Sequence, residues 1–382
     1  MNLLFVSSSP LEYSASSNMR NVAFLNGFIE NGYDVYTLTP MAQKDSNLYD
    51  ETICNIPIKK KYYIDMGKFR EKITMKKNRK NTIKKIVYKI VSKFKMYDFR
   101  SSLANKDIKI EEKFDLLISS SDPKSSHLIA EKLIKNNPGI TKKWIQYWGD
   151  PFANDINRKN MLPKGIVKKE EKRLISICDK VIYVSPFTLD KQINYYNEYK
   201  DKMMFVPIPY SKEIIYPEIN NKKITIGYFG DYRKKDRNII PLYEMAKQNK
   251  DRIELRICGT GDFKLEQTDN IKIEPRQNLS KIKEYEKNVD ILVCVCNKNG
   301  TQIPGKIYHY AATNKPILVL LDGNYKEKMK TYFEVFDRFI LCDNNTKDIE
   351  SKIFKFMEER KGFNPSEQLK SKNIVRSILQ KI

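Results

Sequence analysis

Hydrophobic residues along this chain gather into short runs, at Leu3–Val6, Asp34–Leu38, Phe114–Ile118, Trp144–Tyr147, Lys180–Val184 and Met203–Val206. Between them, over 18–30 and 164–177, apolar positions return every three or four residues, as in a helix that buries one face. Such alternation predicts an open parallel sheet, because each parallel crossover needs a covering helix. The pattern pauses at Pro207-Ile208-Pro209, with Pro217 beyond, and a proline-stiffened linker is expected there. It restarts with strands Ile224–Phe229, Glu254–Cys258, Asp290–Cys296, a run opening at Pro316, and Phe339–Cys342. Helices are expected from about Asn238 and over 347–360.

With 382 residues the chain exceeds what one core usually holds. The expected fold class is α/β, with two Rossmann-like domains facing across a cleft. Residues 1–210 form the first domain in this reading and 211–364 the second, and a last helix over 365–382 crosses back to the first.

Charge adds a feature that patterning alone does not show. The formal net charge is +23, and residues 59–100 hold 16 Lys or Arg against 3 acids, Asp65, Glu71 and Asp98. Inside this insert Ile83, Ile86, Val87, Ile90, Val91, Phe94 and Tyr97 keep helical spacing, while Lys84, Lys85, Lys89, Ser92 and Lys93 take the opposite face. Such a basic amphipathic helix either packs its stripe on its own domain or lies on anionic lipid headgroups. A nucleic-acid partner is not expected, because the patch lacks interleaved stacking aromatics and a binding motif.

The start MNLLFVSSSP lacks a basic leader with a long apolar core, so no signal peptide is expected. No apolar run approaches the roughly 20 residues that span a bilayer. Six scattered cysteines and only two histidines read as reduced core thiols and not as a metal site, Cys294-x-Cys296 included. The expected location is cytoplasmic, with peripheral attachment to the inner face of the cell membrane under the lipid reading of the insert.

Candidate chemistry centres on Gly300–Val319, GTQIPGKIYHYAATNKPILV. Pro304 and Gly305 suit a helix start, and Lys306 adds a full charge where free N–H groups would meet a phosphate. The alternative is an ordinary loop-to-helix turn. Upstream, a strand ends at Gly230 and the loop Asp231–Asp236, DYRKKD, precedes a helix; Arg233, Lys234 and Lys235 are either phosphate ligands or a solvated charge run. A second strand runs into the tight turn Gly259-Thr260-Gly261.

These motifs, in this order, resemble glycosyltransferase family 4, retaining enzymes of two-Rossmann-domain (GT-B) architecture. Ala311–Pro316, AATNKP, matches that family's helix turn and following strand start. The register places Thr301 and His309 on the family's two glutamate positions, which imply contacts to donor sugar and ribose. Gly259-Thr260-Gly261 resembles the family's GxGP turn, with Asp262 in place of the proline. The basic loop implies donor-phosphate contacts from Arg233 and Lys234. In the first half, FDLLISSSDPKSSHLIA followed by WIQYWGDPF resembles a bacterial branch of the family that assembles surface polysaccharide; Gly149 replaces its arginine, while Asp150 and Pro151 are kept. Asp150 is then an acceptor-binding candidate, or else a helix N-cap. His127, Ser8, Ser9 and Ser17 are further acceptor-side candidates, the alternatives being a satisfied, partly buried histidine and an ordinary serine-rich loop.

The resemblance implies a retaining, metal-independent hexosyltransferase. It would move sugar from a UDP- or GDP-sugar to a glycan or polyprenyl-linked acceptor, with Lys306 and Arg233 stabilising the leaving diphosphate and no separate cofactor. The donor set would comprise Gly230, Arg233, Lys234, Gly259, Gly261, Thr301, Pro304, Gly305, Lys306 and His309. Two other readings stand beside it: a catalytically silent partner subunit, which the missing glutamates favour, and a nucleic-acid-binding protein.

Overall fold

The computed structural model describes residues 1–66, 91–158, 160–219, 221–359 and 361–382. Thus Ile83, Ile86, Val87 and Ile90 of the amphipathic stripe lie outside the described residues. The chain divides into two compact units, Met1–Ser211 with Ser371–Ile382, and Lys212–Lys370.

Unit 1 is built on a seven-stranded sheet in the order β3-β2-β1-β4-β5-β6-β7, every pair parallel. Its strands are β1 (Asn2–Val6), β2 (Asp34–Pro40), β3 (Lys60–Ile64), β4 (Leu116–Ser121), β5 (Trp144–Trp148), β6 (Lys180–Tyr183) and β7 (Met203–Phe205). Helices α1 (Ser16–Glu30), α2 (Ser125–Asn136), α3 (Lys164–Ser176) and α4 (Pro186–Tyr195) connect them. Strands β4 and β5 are buried along their whole length, as expected of a parallel sheet covered on both faces. Strand β4 runs on through three serines where only its apolar part was expected. The serines can be buried there because they are bonded: Ser119 Oγ accepts from Trp144 Nε1 at 2.9 Å, and Ser120 Oγ donates to Asn21 Oδ1 at 2.7 Å.

The final helix, α10 (Ser371–Leu379), packs on α1 within unit 1. Gly27 makes this possible, since a Cβ there would stand 2.4 Å from Ser371 O. The helix is shorter than the 365–382 expected, because Glu367–Leu369 form a separate 3-10 turn and Lys370 is extended.

Unit 2 carries a six-stranded parallel sheet in the order β10-β9-β8-β11-β12-β13. The strands are β8 (Ile224–Phe229), β9 (Ile253–Cys258), β10 (Ile271–Glu274), β11 (Ile291–Val295), β12 (Ile317–Leu321) and β13 (Ile340–Asp343). Its helices are α5 (Ile240–Gln248), α6 (Leu279–Lys287), α7 (Lys306–Tyr310), α8 (Lys326–Glu334) and α9 (Thr346–Glu359). Strands β3 (KKYYI) and β10 (IKIE) were not anticipated. Both are edge strands, and the charges that protect a sheet edge also erase its apolar signature.

In each unit the strand order reverses once, between β1 and β4 in unit 1 and between β8 and β11 in unit 2. Parallel sheets place ligands outside the carboxyl ends of the strands at such a reversal. The loops that follow Val6, Ser121, Phe229 and Val295 are therefore where chemistry is to be sought.

Candidate active site

Three glycines shape the unit 2 reversal. A Cβ on Gly259 would stand 2.0 Å from the Gly230 carbonyl oxygen, so the turns after β8 and β9 meet backbone to backbone. Gly261 lies against the Tyr232 ring, 1.9 Å from where its Cβ would be. The two loops are laced together: Thr260 N donates to Asp231 Oδ1 at 3.1 Å, Tyr232 N to Thr260 O at 3.1 Å, and Lys234 N to Asp262 Oδ1 at 3.1 Å. Asp262, at the proline position of the motif, is thus a tie for the basic loop.

Lys306 opens α7, and its Nζ lies 3.8 Å from the Cβ position of Gly230. Burial lowers its pKa, an effect partly opposed by Glu286 and Cys294 nearby. Glu286 is itself buried, which raises its pKa, and accepts a hydrogen bond from Tyr216 OH at 3.0 Å. Helix α7 has only five residues, so its dipole is small and anion affinity there rests on the lysine and on the loop N–H groups.

A second cation near Lys306 is Arg237, whose charge acts on Lys306, Tyr228 and Cys294. Its Nε donates to Asn297 Oδ1 at 2.8 Å, and Asn297 Nδ2 donates to Gln302 O at 2.9 Å. Lys298 N to Asp236 O at 2.7 Å and Asn299 Nδ2 to Lys235 O at 3.0 Å close the same seam. Arg233, by contrast, has a half-exposed side chain 3.7 Å from Asp236, and Lys234 and Lys235 are exposed. Sequence reasoning ended the basic loop at Asp236, one residue short of Arg237. The signal available was position: Arg237 is the last cation before α5.

Of the remaining donor-side candidates, Thr301 and Pro304 are buried, and Gly305 and His309 half-buried around the start of α7. The structure brings Gly230, Gly259, Lys306 and Arg237 to one place. The side chains of Arg233 and Lys234 remain at the solvent side of their loop.

In unit 1 the serine loop and α2 close on one another. Ser8 Oγ lies 2.9 Å from Ser125 Oγ and 3.2 Å from Ser126 Oγ, and Ser8 N donates to Ser126 Oγ at 3.0 Å. Ser9 is buried and Ser17 is half-buried in the first turn of α1. His127 is fully enclosed, stacked 4.5 Å from the Trp148 ring, with Nδ1 2.8 Å from Ser119 Oγ; burial pushes its pKa down to about 3. It is a neutral packing element at neutral pH.

Asp150 follows β5 and no helix starts beside it, α3 beginning at Lys164, so the N-cap alternative is not realised. Instead Asp150 joins Asp122 and Asp155, whose carboxylate oxygens lie within 4.8 Å of one another. The ammonium of Lys124 sits among them, bonded to Asp122 and 3.3 Å from Asp155. Burial and the two neighbouring carboxylates push Asp150 up to about 7. Asp122 moves the other way: burial opposes its ionisation, but Lys124 and Arg20 together hold its pKa below the usual range. The trio has the donor set of a hard-cation site, but Lys124 already supplies a positive charge within it. A cavity of about 280 Å³ opens beside this cluster, lined among others by Asp122, Lys124, Asp155, Tyr97, Phe152 and Arg158.

Among solved structures, TarM superposes with a TM-score of 0.63 at 10% identity, covering 100% of this chain and 98% of its own. Sucrose-phosphate synthase from Thermosynechococcus elongatus gives 0.56 at 11% identity, covering 100% and 94%. Each shares the two-unit arrangement of parallel sheets. The chain has the GT-B fold. UDP-GlcNAc 2-epimerase from Neisseria meningitidis, solved with UDP-GlcNAc bound, also superposes, at 0.51 and 14% identity over 100% and 99% of the two chains. No family model and no curated protein sequence matches the chain. GT-B proteins thus include transferases and an epimerase, and the activity of this one has to be argued from its own residues.

Proposed function

We propose that this GT-B protein transfers a hexosyl group from a UDP- or GDP-sugar to a glycan or polyprenyl-linked glycan hydroxyl during surface-polysaccharide synthesis. The observation that carries the reading is the pair of cations, Arg237 and Lys306, beside the Gly230–Gly259 turns at the reversal of the unit 2 sheet. Glycine backbone lets a diphosphate approach closely, and two fixed cations complement the charge that grows on it as the glycosidic bond breaks. Protein cations at that place make a metal ion unnecessary for leaving-group stabilisation. In a retaining course the departing phosphate oxygen accepts the proton of the attacking hydroxyl on the same face of the sugar, so no separate base is assigned. We assign acceptor binding to the unit 1 cavity beside Asp122, Lys124 and Asp150.

The test is a thermal-shift panel of nucleoside diphosphates and nucleotide sugars without added metal, on wild type and Lys306→Ala, followed by the anomeric configuration of any product. One nucleotide series should stabilise the wild type alone, and the product should keep the donor's anomeric configuration; an inverted product would sink the retaining course. A second reading, a silent partner subunit that binds nucleotide sugar, is favoured by Thr301, which is only 2% exposed at a position expected to meet the donor. Ligand-induced stabilisation with neither transfer nor hydrolysis would establish it.

A further inference from the structure

Two segments of unit 1, joined by a backbone hydrogen bond between Met161 and Lys93, each leave large apolar side chains in solvent. Val91 is 46% and Phe94 61% exposed, although helical spacing put both on an apolar stripe. Met96 and Tyr97, just beyond them, do pack against the unit 1 core. The carbonyl of Lys93 accepts a hydrogen bond from Met161 N at 2.7 Å, which sets Met161, 62% exposed, beside this turn. Ile166, 50% exposed, follows in the first turn of α3. Isolated exposed apolar residues are ordinary, but a group of this kind marks an interaction surface.

The surrounding charge identifies the partner. Lys93, Lys95, Lys164 and Lys169 are exposed in the same two segments, Lys168 lying over the Tyr195 ring, and the acids that bound the segments are engaged, Asp98 by Arg100 and Glu170 by Arg173 and Tyr97. A protein–protein interface is depleted in lysine at its centre, and these lysines have no counter-charge in either segment. An anionic lipid surface satisfies both features at once: headgroups neutralise the ammonium groups, lysine stems spread over the apolar boundary, and the apolar tips enter it. We propose that the face formed by Val91, Phe94, Met161 and Ile166 with these lysines docks unit 1 on an anionic bilayer.

The docking is independent of the donor chemistry, since exposure and charge define the face whether or not sugar is transferred. One consequence does rest on the proposed function. Ser92, Lys95, Met96 and Asn160, on the same two segments, line the cavity that reaches Asp122 and Lys124. A bilayer held at this face would present the head of a lipid-linked acceptor to that cavity.

The full chain is to be sedimented with vesicles of phosphatidylcholine alone and mixed with phosphatidylglycerol, as wild type, F94S/M161S and K93Q/K95Q. Wild type should pellet with the mixed vesicles only, and F94S/M161S should lower its partition by about tenfold or more. K93Q/K95Q should weaken binding most at low salt. Both variants alter exposed positions, so their melting temperatures and nucleotide-induced shifts should match wild type; this readout separates failure of docking from failure of the donor reading. Equal pelleting of wild type and F94S/M161S, or no pelleting of wild type, overturns the proposal. So does a wild-type dimer that F94S/M161S dissociates, because a second copy would then cover the face.

Discussion

Arg20 occupies the space that a side chain at Gly149 would need: a Cβ there would stand 1.8 Å from Arg20 Nη1. Arg20 comes from α1, is 6% exposed, donates to Ser121 O and Ser120 Oγ, and lies 4.9 Å over the Tyr147 ring. The Arg20 charge acts on Asp122, and the bare glycine at 149 is what admits the guanidinium.

Gly149→Ala should therefore displace Arg20 and cost about 1–3 kcal/mol. Arg20→Ala alone should also destabilise, by removing bonds to buried acceptors. In the double variant the clash is gone, so the combined loss should fall short of the sum. Urea unfolding in a double-mutant cycle measures the difference, and strict additivity would show that the two positions do not compete for space.

Gly259→Ala meets a harder obstacle, because the nearest atom is the Gly230 backbone carbonyl and not the end of a side chain. The turns after β8 and β9 would have to part. Loss of about 2–4 kcal/mol is expected, together with loss of nucleotide-induced stabilisation. A melting curve unchanged from wild type would mean that the turns separate freely.

Arg237→Ala should weaken nucleoside diphosphate binding by about 10- to 100-fold, the worth of a charge-assisted hydrogen bond in a partly enclosed site. Arg233→Ala, half-exposed beside Asp236, should change it less than about threefold. Titration calorimetry on both variants decides which cation holds the phosphate. Because burial lowers the Lys306 pKa, affinity should also fall as pH rises, starting below the pH at which an exposed lysine would titrate. A flat affinity up to the ordinary lysine range would rule that environment out.

Sequence periodicity carried the architecture because the central strands are apolar throughout; Leu116–Ile118 and Ile291–Val295 are buried at every position. It lost what depends on contact. Edge strands β3 and β10 carry lysines and read as loop. Gly230, Gly259 and Lys306 were legible as local turn and helix-start chemistry, and they do converge. Arg237 was not, because nothing local separates a cation held by Asn297 from the three beside it. The Asp122–Lys124–Asp155 grouping joins residues from two connections, after β4 and after β5, and only the β4–β5 register makes them neighbours. His127 shows the converse, an acceptor-side candidate that the fold buries against Trp148.

Asp150 supplies a prediction whose sign follows from its neighbours. Its ordinary pKa of 3.8 is pushed up to about 7, chiefly by burial and then by Asp122 and Asp155. Between about pH 4 and 7 the folded state keeps a proton that the unfolded chain has released, so this group's contribution to stability is complete below about pH 4 and lost as pH rises through 7. The slope is at most about 1.4 kcal/mol per pH unit. Asp122, whose pKa is lowered, acts oppositely and in a different window, losing its contribution as pH falls below about 4. Asp150→Asn removes the first effect and keeps the second. Its unfolding free energy should be flatter than wild type from pH 4 to 7 and should still drop in stronger acid. Parallel profiles for the two proteins across pH 4 to 7 would mean that Asp150 is ionised throughout, with Lys124 and Arg20 sufficient to hold the three carboxylates together without a shared proton.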